Sequence, residues 1–485
     1  MLKTLSLLPL SFWIAIALLC GGFYYAAKYI RQGIGIPMVA LLGTIAFWYV
    51  GDVLYNDYQE IHMAQFTPTV LNNAWWQVVE FLAVYLFIVL PLHQRINRRI
   101  LGNSSQAMNL FRNGVGEPQF QRTLTILFNS AAVVWGVLLI LAILRYKERY
   151  FYYLFPYLGE HPGPWTINGI AGGGMDTMFV LANNFQMMVG TLFGVVAALS
   201  NNPLIRSCAL VGVILTWPFF IFSYIRNYIL ITVIPGLLSW VFFRLRFGIP
   251  IKVVALVILF LLVNAWFGFI IANRSLQSTT TALREEGFKY SDASKQAHEG
   301  LNMFEELCWI NTFIQDGSYK IKWGHNYFAN FANPIPRSLW PGKPTIGLDY
   351  ADARGGGGAD TDIGVSVTIS DGMIGQGVIN CGRYAGPAVA AFLIALWGCW
   401  VARLDLLGRQ IGYFPLFGLG LILTFNMGRD IGPMAMYPLI FGYAICWWLN
   451  RESNPPAARQ GRKPALLYPE RSRRHSGLNP HNDQL

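Results

Sequence analysis

Charged residues are scarce in this chain. Asp, Glu, Lys and Arg make up 13% of its 485 residues, whereas hydrophobic residues make up 54%. A soluble domain usually carries about 25% charged residues, so too few polar groups are present here to cover a folded surface in water. The scarcity argues against a soluble globular enzyme. Apolar runs of about 20 residues recur instead, and each predicts a helix that crosses a membrane.

Metal-binding patterns are also missing. The six cysteines form no CxxC pair and no Cys/His cluster, so we expect no metal and no other cofactor. Cys308 and Cys381 fall in one polar segment, where an oxidising compartment would permit a disulfide. Two cysteines alone leave that disulfide open. The other four fall inside apolar runs and are expected to be packing residues: Cys20, Cys208, Cys399 and Cys446.

The net charge of +11 is not accompanied by a nucleic-acid motif. No segment pairs a basic groove with regularly spaced aromatic residues. Membrane proteins carry Lys and Arg in their cytoplasmic loops as orientation signals. The positive charge therefore indicates membrane topology, and no nucleic-acid partner is expected.

The apolar runs predict an all-α polytopic membrane protein with about eleven transmembrane helices and a large, partly helical extracytoplasmic loop. No basic leader or small-residue cleavage site accompanies the first run, so it is expected to be retained as a helix. Residues 1–272 hold helices 1 to 8, 273–383 the large loop, 384–450 helices 9 to 11, and 451–485 a basic, disordered tail. The runs lie near residues 7–27, 35–55, 75–93, 124–144, 176–199, 207–225, 228–243, 253–272, 384–402, 411–428 and 431–449.

Basic residues between the runs predict the orientation. They concentrate after the odd-numbered runs, which places the N-terminus outside and the C-terminus in the cytoplasm. Three residues, Arg145, Lys147 and Arg149, run against the pattern. The residues that support it are Lys28, Arg31, Arg95, Arg98, Arg99, Arg112, Arg122, Arg206, Arg244, Arg246, Lys252, Arg403 and Arg409, with the tail after Arg451.

An amphipathic helix is predicted near 293–315 in the large loop. Leu301, Phe304, Cys308 and Phe313 share roughly one face at helical spacing. A loop of about a hundred residues is uncommon in a compact protein unless it has a function. We therefore expect the loop to contribute to the site.

Two arginines stand out on the outer side. Arg226 lies between the sixth and seventh runs and Arg429 between the tenth and eleventh, where orientation signals disfavour both. A guanidinium group can grip phosphate oxygens bidentately. Each arginine could equally reach a lipid headgroup or pair with a carboxylate, and for Arg429 the neighbouring Asp430 makes such a pair easy.

A proline-rich run at 333–344 is the second signal. Its four prolines fix the backbone outside helix and central strand, holding Arg337, Trp340 and Lys343 in a set geometry. An indole face suits a sugar ring, and the two cations suit phosphates. A rigid surface loop without a ligand is the alternative.

The Pro-x-Pro-Arg-x-Leu-Trp-Pro-x-Lys-Pro pattern at 334–344 resembles that of bacterial oligosaccharide repeat-unit polymerases, the Wzy-type O-antigen and capsule polymerases. The Ser-x-x-Arg at 223–226 is a loose match to the Ser-Arg pattern of that family. The order of features, with a large late loop followed by a few closing helices, is similar as well. Residues 371–382 look like the family's segment after the loop. Family members often have Gly-Glu and an aromatic residue there, whereas this chain has Gln376 and Val378.

The resemblance implies polymerisation of undecaprenyl-pyrophosphate-linked oligosaccharide at the periplasmic face of the bacterial inner membrane. Arg226, Arg337, Arg429 and Lys343 would bind the pyrophosphate, and Trp340 would bind sugar. A chain-length regulator is a further candidate partner beside membrane lipids. The rivals are a ligase-like transferase that moves a glycan once, and a transporter of lipid-linked sugars. The candidate bases are His325 and Asp371, with Asp349, Asp352 and His161 less favoured.

Overall fold

The computed structural model describes residues 8–55, 65–145, 176–222, 226–245, 248–272, 303–332, 335, 339–342, 344, 350, 353, 370–410 and 412–453. Its described elements are helices without strands. They are α1 (Leu10–Lys28), α2 (Gly35–Ile45), α3 (Pro68–Ile96), α4 (Gln106–Asn113), α5 (Pro118–Arg145), α6 (Asp176–Leu199), α7 (Pro203–Ile221), α8 (Arg226–Thr232), α9 (Ile234–Ser239), α10 (Ile249–Ala272), α11 (Met303–Gln315), α12 (His325–Ala332), α13 (Met373–Leu406), α14 (Tyr413–Met427) and α15 (Pro433–Ser453).

Five of the described helices are long and apolar enough to cross a membrane: α1, α3, α5, α7 and α13. Shorter apolar helices accompany them, and α10 leaves Val254, Val257 and Leu261 more than half exposed. Apolar side chains covering an exposed helix face are tolerated where lipid replaces water. The chain is therefore a helical membrane protein.

One end of the helices gathers the basic residues, and we call it the basic end. There the Asp405 carboxylate accepts a hydrogen bond of 2.8 Å from the Ala107 amide, which caps the first turn of α4. Gln121 donates a hydrogen bond of 3.1 Å to the carbonyl of Leu199. These contacts bring α4, α5, α6 and α13 together at this end.

The opposite end carries the described parts of the long loop, and we call it the loop end. Gln77 of α3 and Asn311 of α11 exchange amide hydrogen bonds of 2.9 and 2.8 Å. The rings of Trp75 and Phe304 stack with centroids 4.0 Å apart. The loop helix α11 is thus packed onto the end of a long apolar helix.

The predicted amphipathic helix is present in its described part as α11. Phe304 and Cys308 are fully buried and Phe313 is half-buried against the same core. Leu301 and the start of the predicted helix lie outside the described residues. The 3.6-residue spacing of these apolar side chains explains the packing of α11 against the membrane helices.

Two of the predicted runs contain irregular helix. The second continues from α2 through a π-helical segment, Ala46–Gly51, into a helical turn at Asp52–Tyr55. The short seventh run consists of α8, α9 and a second π-helical segment, Trp240–Arg244. Such π-helical segments are frequently found at functional sites.

The main hydrophobic core joins α1, α2, α3, α11, α13, α14 and α15, and it also includes residues of α5 to α8, among them Leu138, Met187 and Phe220. Smaller clusters hold α4 to α9 together, with Phe120, Leu124 and Leu199 in one and Ala131 and Phe193 in another. Helices α4 to α9 therefore pack among themselves and also against the main core.

The long helix α13 is folded into two arms. Gly382 has φ 82° and ψ 174°, which is not helical backbone. A Cβ added to Gly377 would meet the carbonyl oxygen of Gly386 and, at 3.0 Å, the Cβ of Ala390. In a straight helix residues nine positions apart would be separated by about 13 Å. The arm 373–381 therefore folds back onto the arm 383–406, and only glycine allows so close a contact of the two backbones.

Candidate functional site

The short arm 373–381 enters the protein at the loop end and is buried on all sides from Met373 to Asn380. Its first amides are all hydrogen-bonded. Those of Gly372 and Met373 donate to the carbonyls of Arg429 and Gly428, at 2.8 and 3.2 Å. That of Ile374 donates to the Tyr49 hydroxyl at 3.1 Å. The start of the arm is therefore fixed to the π-helical segment Ala46–Gly51 and to the connection between α14 and α15.

Gly372 permits this arrangement. Its φ of 72° is in the left-handed region, and an added Cβ would lie 2.7 Å from the Tyr49 hydroxyl oxygen. The buried residue beside it, Asp371, is 8% exposed. The tight approach holds the Asp371 backbone against the π-helical segment.

Arg429 lies beside this arm. Its guanidinium donates a hydrogen bond of 3.1 Å to the Ser370 hydroxyl. The same group lies 5.7 Å from the centroid of the Trp48 ring, within reach of a cation–π interaction. A planar cation is thus held at the loop end in a fixed orientation.

Asp430 and Gln376 form the next layer. The Gln376 amide donates a short hydrogen bond to the Asp430 carboxylate, and its oxygen accepts one of 3.0 Å from the Ile431 amide. Burial raises the pKa of Asp430, and this effect exceeds the opposing influence of Gln376 and Arg429. Gln376 stands where the polymerases that residues 334–344 resemble often have Glu. In this chain the carboxylate of Asp430 lies against the Gln376 side chain.

Tyr327 of α12 faces the same cluster. Its hydroxyl oxygen is buried and has no hydrogen-bond partner among the residues that the structure describes. Burial raises its pKa, and the nearby carboxylates of Asp371 and Asp430 raise it further. The Asn380 side chain accepts hydrogen bonds from the Asn326 and Tyr327 amides, at 3.0 and 3.4 Å, and so caps α12. A buried phenol therefore lies near two carboxylates.

The two candidate bases differ in placement. Asp371 is buried in the cluster, whereas His325 is exposed at the start of α12. The same helix turns Tyr327 and Asn330 inward, and the Asn330 amide donates to the Ile431 carbonyl at 3.1 Å. The structure thus brings Asp371 together with Arg429 and leaves His325 on the surface.

The remaining predicted residues are described only in part. Trp340 is half-buried, with its ring 6.1 Å from that of Phe328 on α12. The backbone of Arg226 begins α8, but its side chain lies outside the described residues, as do Arg337 and Lys343. The proline-rich run therefore reaches α12 through Trp340.

Cys308 and Cys381 are free thiols in the structure. Burial raises the pKa of Cys308, and nearby Glu305 and Glu306 add to the effect. In the described ranges, no group of three or more His, Cys, Asp or Glu side chains is arranged to hold a metal ion.

Sequence reasoning did not identify Trp48, Tyr49, Tyr327 and Asn380 as parts of this cluster. Aromatic residues are common throughout the chain, which has 23 Tyr and 16 Trp. The π-helical segment that carries Trp48 and Tyr49 has no signature in apolar periodicity. The glycines at 372, 375, 377 and 382 were the available signal, since closely spaced glycines mark tight backbone approach.

The fold and this cluster define a helical membrane protein with a buried polar site at the loop end. Comparison of the chain with known protein families, with curated proteins and with solved structures finds no match.

Proposed function

We propose that this chain polymerises undecaprenyl-pyrophosphate-linked oligosaccharide repeat units into a surface polysaccharide at the periplasmic face of the bacterial inner membrane. The resemblance of residues 334–344 to the Wzy-type polymerases suggests the family. The grouping of Arg429, Asp371 and Tyr327 at the loop end is the observation that carries the proposal.

The topology follows from the charges. The basic end would face the cytoplasm, and the loop end, with Arg429 and α11, would face the periplasm. The chain would cross the membrane eleven times, with irregular helix in the second and seventh crossings. Lipid-linked repeat units are built with their sugars outside the hydrocarbon core, which is where this topology puts the loop and the cluster.

The chemistry is a glycosyl transfer. The hydroxyl oxygen of the acceptor sugar attacks the anomeric carbon of the growing glycan, and the bond from that carbon to the pyrophosphate oxygen breaks. The pyrophosphate leaves with the bonding electrons, so negative charge develops on its oxygens. A cation held in a fixed position stabilises this developing negative charge most strongly where water is excluded. Arg429, fixed by Ser370 and Trp48, would supply that charge at the edge of the buried cluster.

The remaining groups complete the reaction. The acceptor hydroxyl must lose its proton, and Asp371 would take it as general base. Arg226, Arg337 and Lys343 would contact the same pyrophosphate, and Trp340, beside α12, would stack on a sugar ring. Inversion at the anomeric carbon is what the resemblance to the Wzy-type polymerases implies.

The test uses the full chain in nanodiscs with lipid-pyrophosphate-linked repeat units from its own host. A ladder of products spaced by one repeat unit supports polymerisation. Transfer of a single glycan to lipid A core would replace the proposal with a ligase. An intact repeat unit that has merely crossed the bilayer would replace it with a transporter.

A further inference from the structure

An apolar cavity of about 480 Å³ lies between two groups of helices. Helices α5, α6 and α9 and the second π-helical segment line one side, and α14 and α15 line the other. Ser130, Thr191 and Ser239 carry the only hydroxyls among its lining residues. The Thr191 hydroxyl is already bonded to the Ile231 carbonyl at 2.9 Å. The volume is within the ordinary range for ligand sites, and the lining suits a hydrocarbon chain.

The cavity lies towards the basic end. Along α14 it runs from Gly412 to Ile422, ten residues or about 15 Å of helix, and along α6 from Phe185 to Leu199, fourteen residues or about 21 Å. These lengths are about half to two thirds of the 30 Å hydrocarbon core. Its inner limit is seven residues, about 10 Å of helix, from Arg429. The cavity is therefore separate from the site at the loop end.

Basic side chains lie where the cavity opens at the basic end. Arg244 directly follows the lining residue Phe243, and Arg451 comes two residues after the lining residue Leu449. The Lys252 ammonium donates a hydrogen bond of 2.7 Å to the carbonyl of another lining residue, Phe242.

Two acidic side chains described near this end, those of Asp405 and Glu117, do not line the cavity. Asp405 is buried and caps α4. Glu117 and Arg409 line a separate small recess. The mouth of the cavity is thus positively charged, and basic pockets between membrane helices favour anionic lipid headgroups.

We propose that the cavity binds an anionic phospholipid of the leaflet at the basic end, with an acyl chain inside it and the headgroup at Arg244, Lys252 and Arg451. A depth of about half to two thirds of the hydrocarbon core favours this occupant over the much longer polyprenyl chain. Because the lipid would fill the space between α5 and α6 on one side and α14 and α15 on the other, it would hold these helices together.

Gly418 provides the test variant. It lines the cavity on α14, and a Cβ added there would meet nothing within 4 Å. Gly418→Leu therefore fills the cavity without a backbone clash. Gly136 of α5 also has open space at its Cβ but is not part of the lining, so Gly136→Leu is the matched control.

The experiment uses delipidated full-length protein in detergent. Native mass spectrometry and thermal unfolding are followed with added phosphatidylglycerol, phosphatidylcholine or undecaprenyl phosphate. Phosphatidylglycerol is expected to remain as a bound adduct and to raise the melting temperature by at least about 2 °C. Both effects should disappear in Gly418→Leu and persist in Gly136→Leu. Arg244→Gln with Arg451→Gln should remove the preference for phosphatidylglycerol over phosphatidylcholine.

Three results would overturn the proposal. They are equal effects of both phospholipids on the native chain, equal lipid binding by Gly418→Leu and its control, and binding of undecaprenyl phosphate alone. If Gly418→Leu fails to fold, Ser130→Leu fills the cavity from α5 and is judged by the same criteria.

Discussion

Gln376 holds Asp430 through a hydrogen bond between its side-chain amide and the carboxylate, although 54 residues separate them in the chain. The side-chain oxygen of Gln376 accepts a hydrogen bond from the backbone N–H of Ile431. This one side chain of the buried arm thus orders the connection between α14 and α15, which also carries Arg429. The position of the Arg429 guanidinium depends on the contact between Gln376 and Asp430.

Gln376→Glu should destabilise the protein at neutral pH. The new carboxylate would face that of Asp430 in a buried setting, where two like charges cannot both be accommodated. We expect the free energy of unfolding to fall by about 1–3 kcal/mol at pH 7 and to recover towards pH 5 as the pair shares a proton. Thermal unfolding in detergent measures the change, with Gln410→Glu at the exposed basic end as control. An equal effect at both pH values would refute the contact.

Asp430→Asn should alter the pH dependence of stability. Because burial raises the pKa of Asp430, the unfolded chain loses this proton at a lower pH than the folded protein does. Stability of the native chain therefore falls as the pH rises from about 3.9, the ordinary carboxyl value, to the raised pKa, by up to about 1.4 kcal/mol per pH unit. It is constant above that window. Asp430→Asn should lack this loss.

The measurement for that prediction is the melting temperature between pH 4 and pH 8. The difference between Asp430→Asn and the native chain should grow with pH within the window. The exposed Asp316→Asn is the control. If the difference in melting temperature between Asp430→Asn and the native chain is the same at every pH, the pKa of Asp430 is not raised in the folded protein.

Gly377→Ala should separate the two arms of α13. The added methyl group would collide with the Gly386 carbonyl oxygen, and backbone cannot give way as a flexible side chain can. We expect a loss of about 1–3 kcal/mol in unfolding free energy. Gly43→Ala, where a Cβ meets nothing within 4 Å, should be neutral or stabilising by up to about 1 kcal/mol. Equal melting temperatures for the two variants would argue against a folded-back arm.

Whether Asp371 or His325 is the general base can be decided from the rates of chain extension of their variants. If Asp371 takes the acceptor proton, Asp371→Asn should lower the rate about 10²- to 10⁴-fold. His325→Gln should change it little, because His325 is exposed. Both variants are compared at several pH values after their folding has been checked. The reverse pattern would make His325 the base.

The apolar runs predicted much of the helical architecture. Each of the eleven runs is helical over most of its described residues, because a 20-residue apolar segment has few other ways to satisfy its backbone in a membrane. The part of the predicted loop helix that is described is also present. The boundary placed at residue 383 falls next to Gly382, where the second arm of α13 begins.

The buried arm 373–381 lies within residues 273–383, which the sequence predicts as the large loop. Arg429 and Asp371 were identified from their charge and position. Their neighbours Tyr49 and Tyr327 could not be, since contacts such as that of Tyr49 with Ile374 join residues 325 positions apart. No local pattern in one sequence encodes such a pairing.

The most direct test of the proposed function compares two arginines at the loop end. Arg429 is bonded to Ser370 and lies over Trp48, whereas Arg383 lies 5.6 Å from the Tyr384 ring centroid and has no described contact with the cluster. Initial rates of ladder formation would be measured with lipid-linked repeat units for Arg429→Gln and Arg383→Gln, with melting temperatures taken in parallel. We expect a loss of at least about 10²-fold for Arg429→Gln and little change for Arg383→Gln. Ladders formed at the native rate by folded Arg429→Gln would contradict the role of Arg429 at the pyrophosphate.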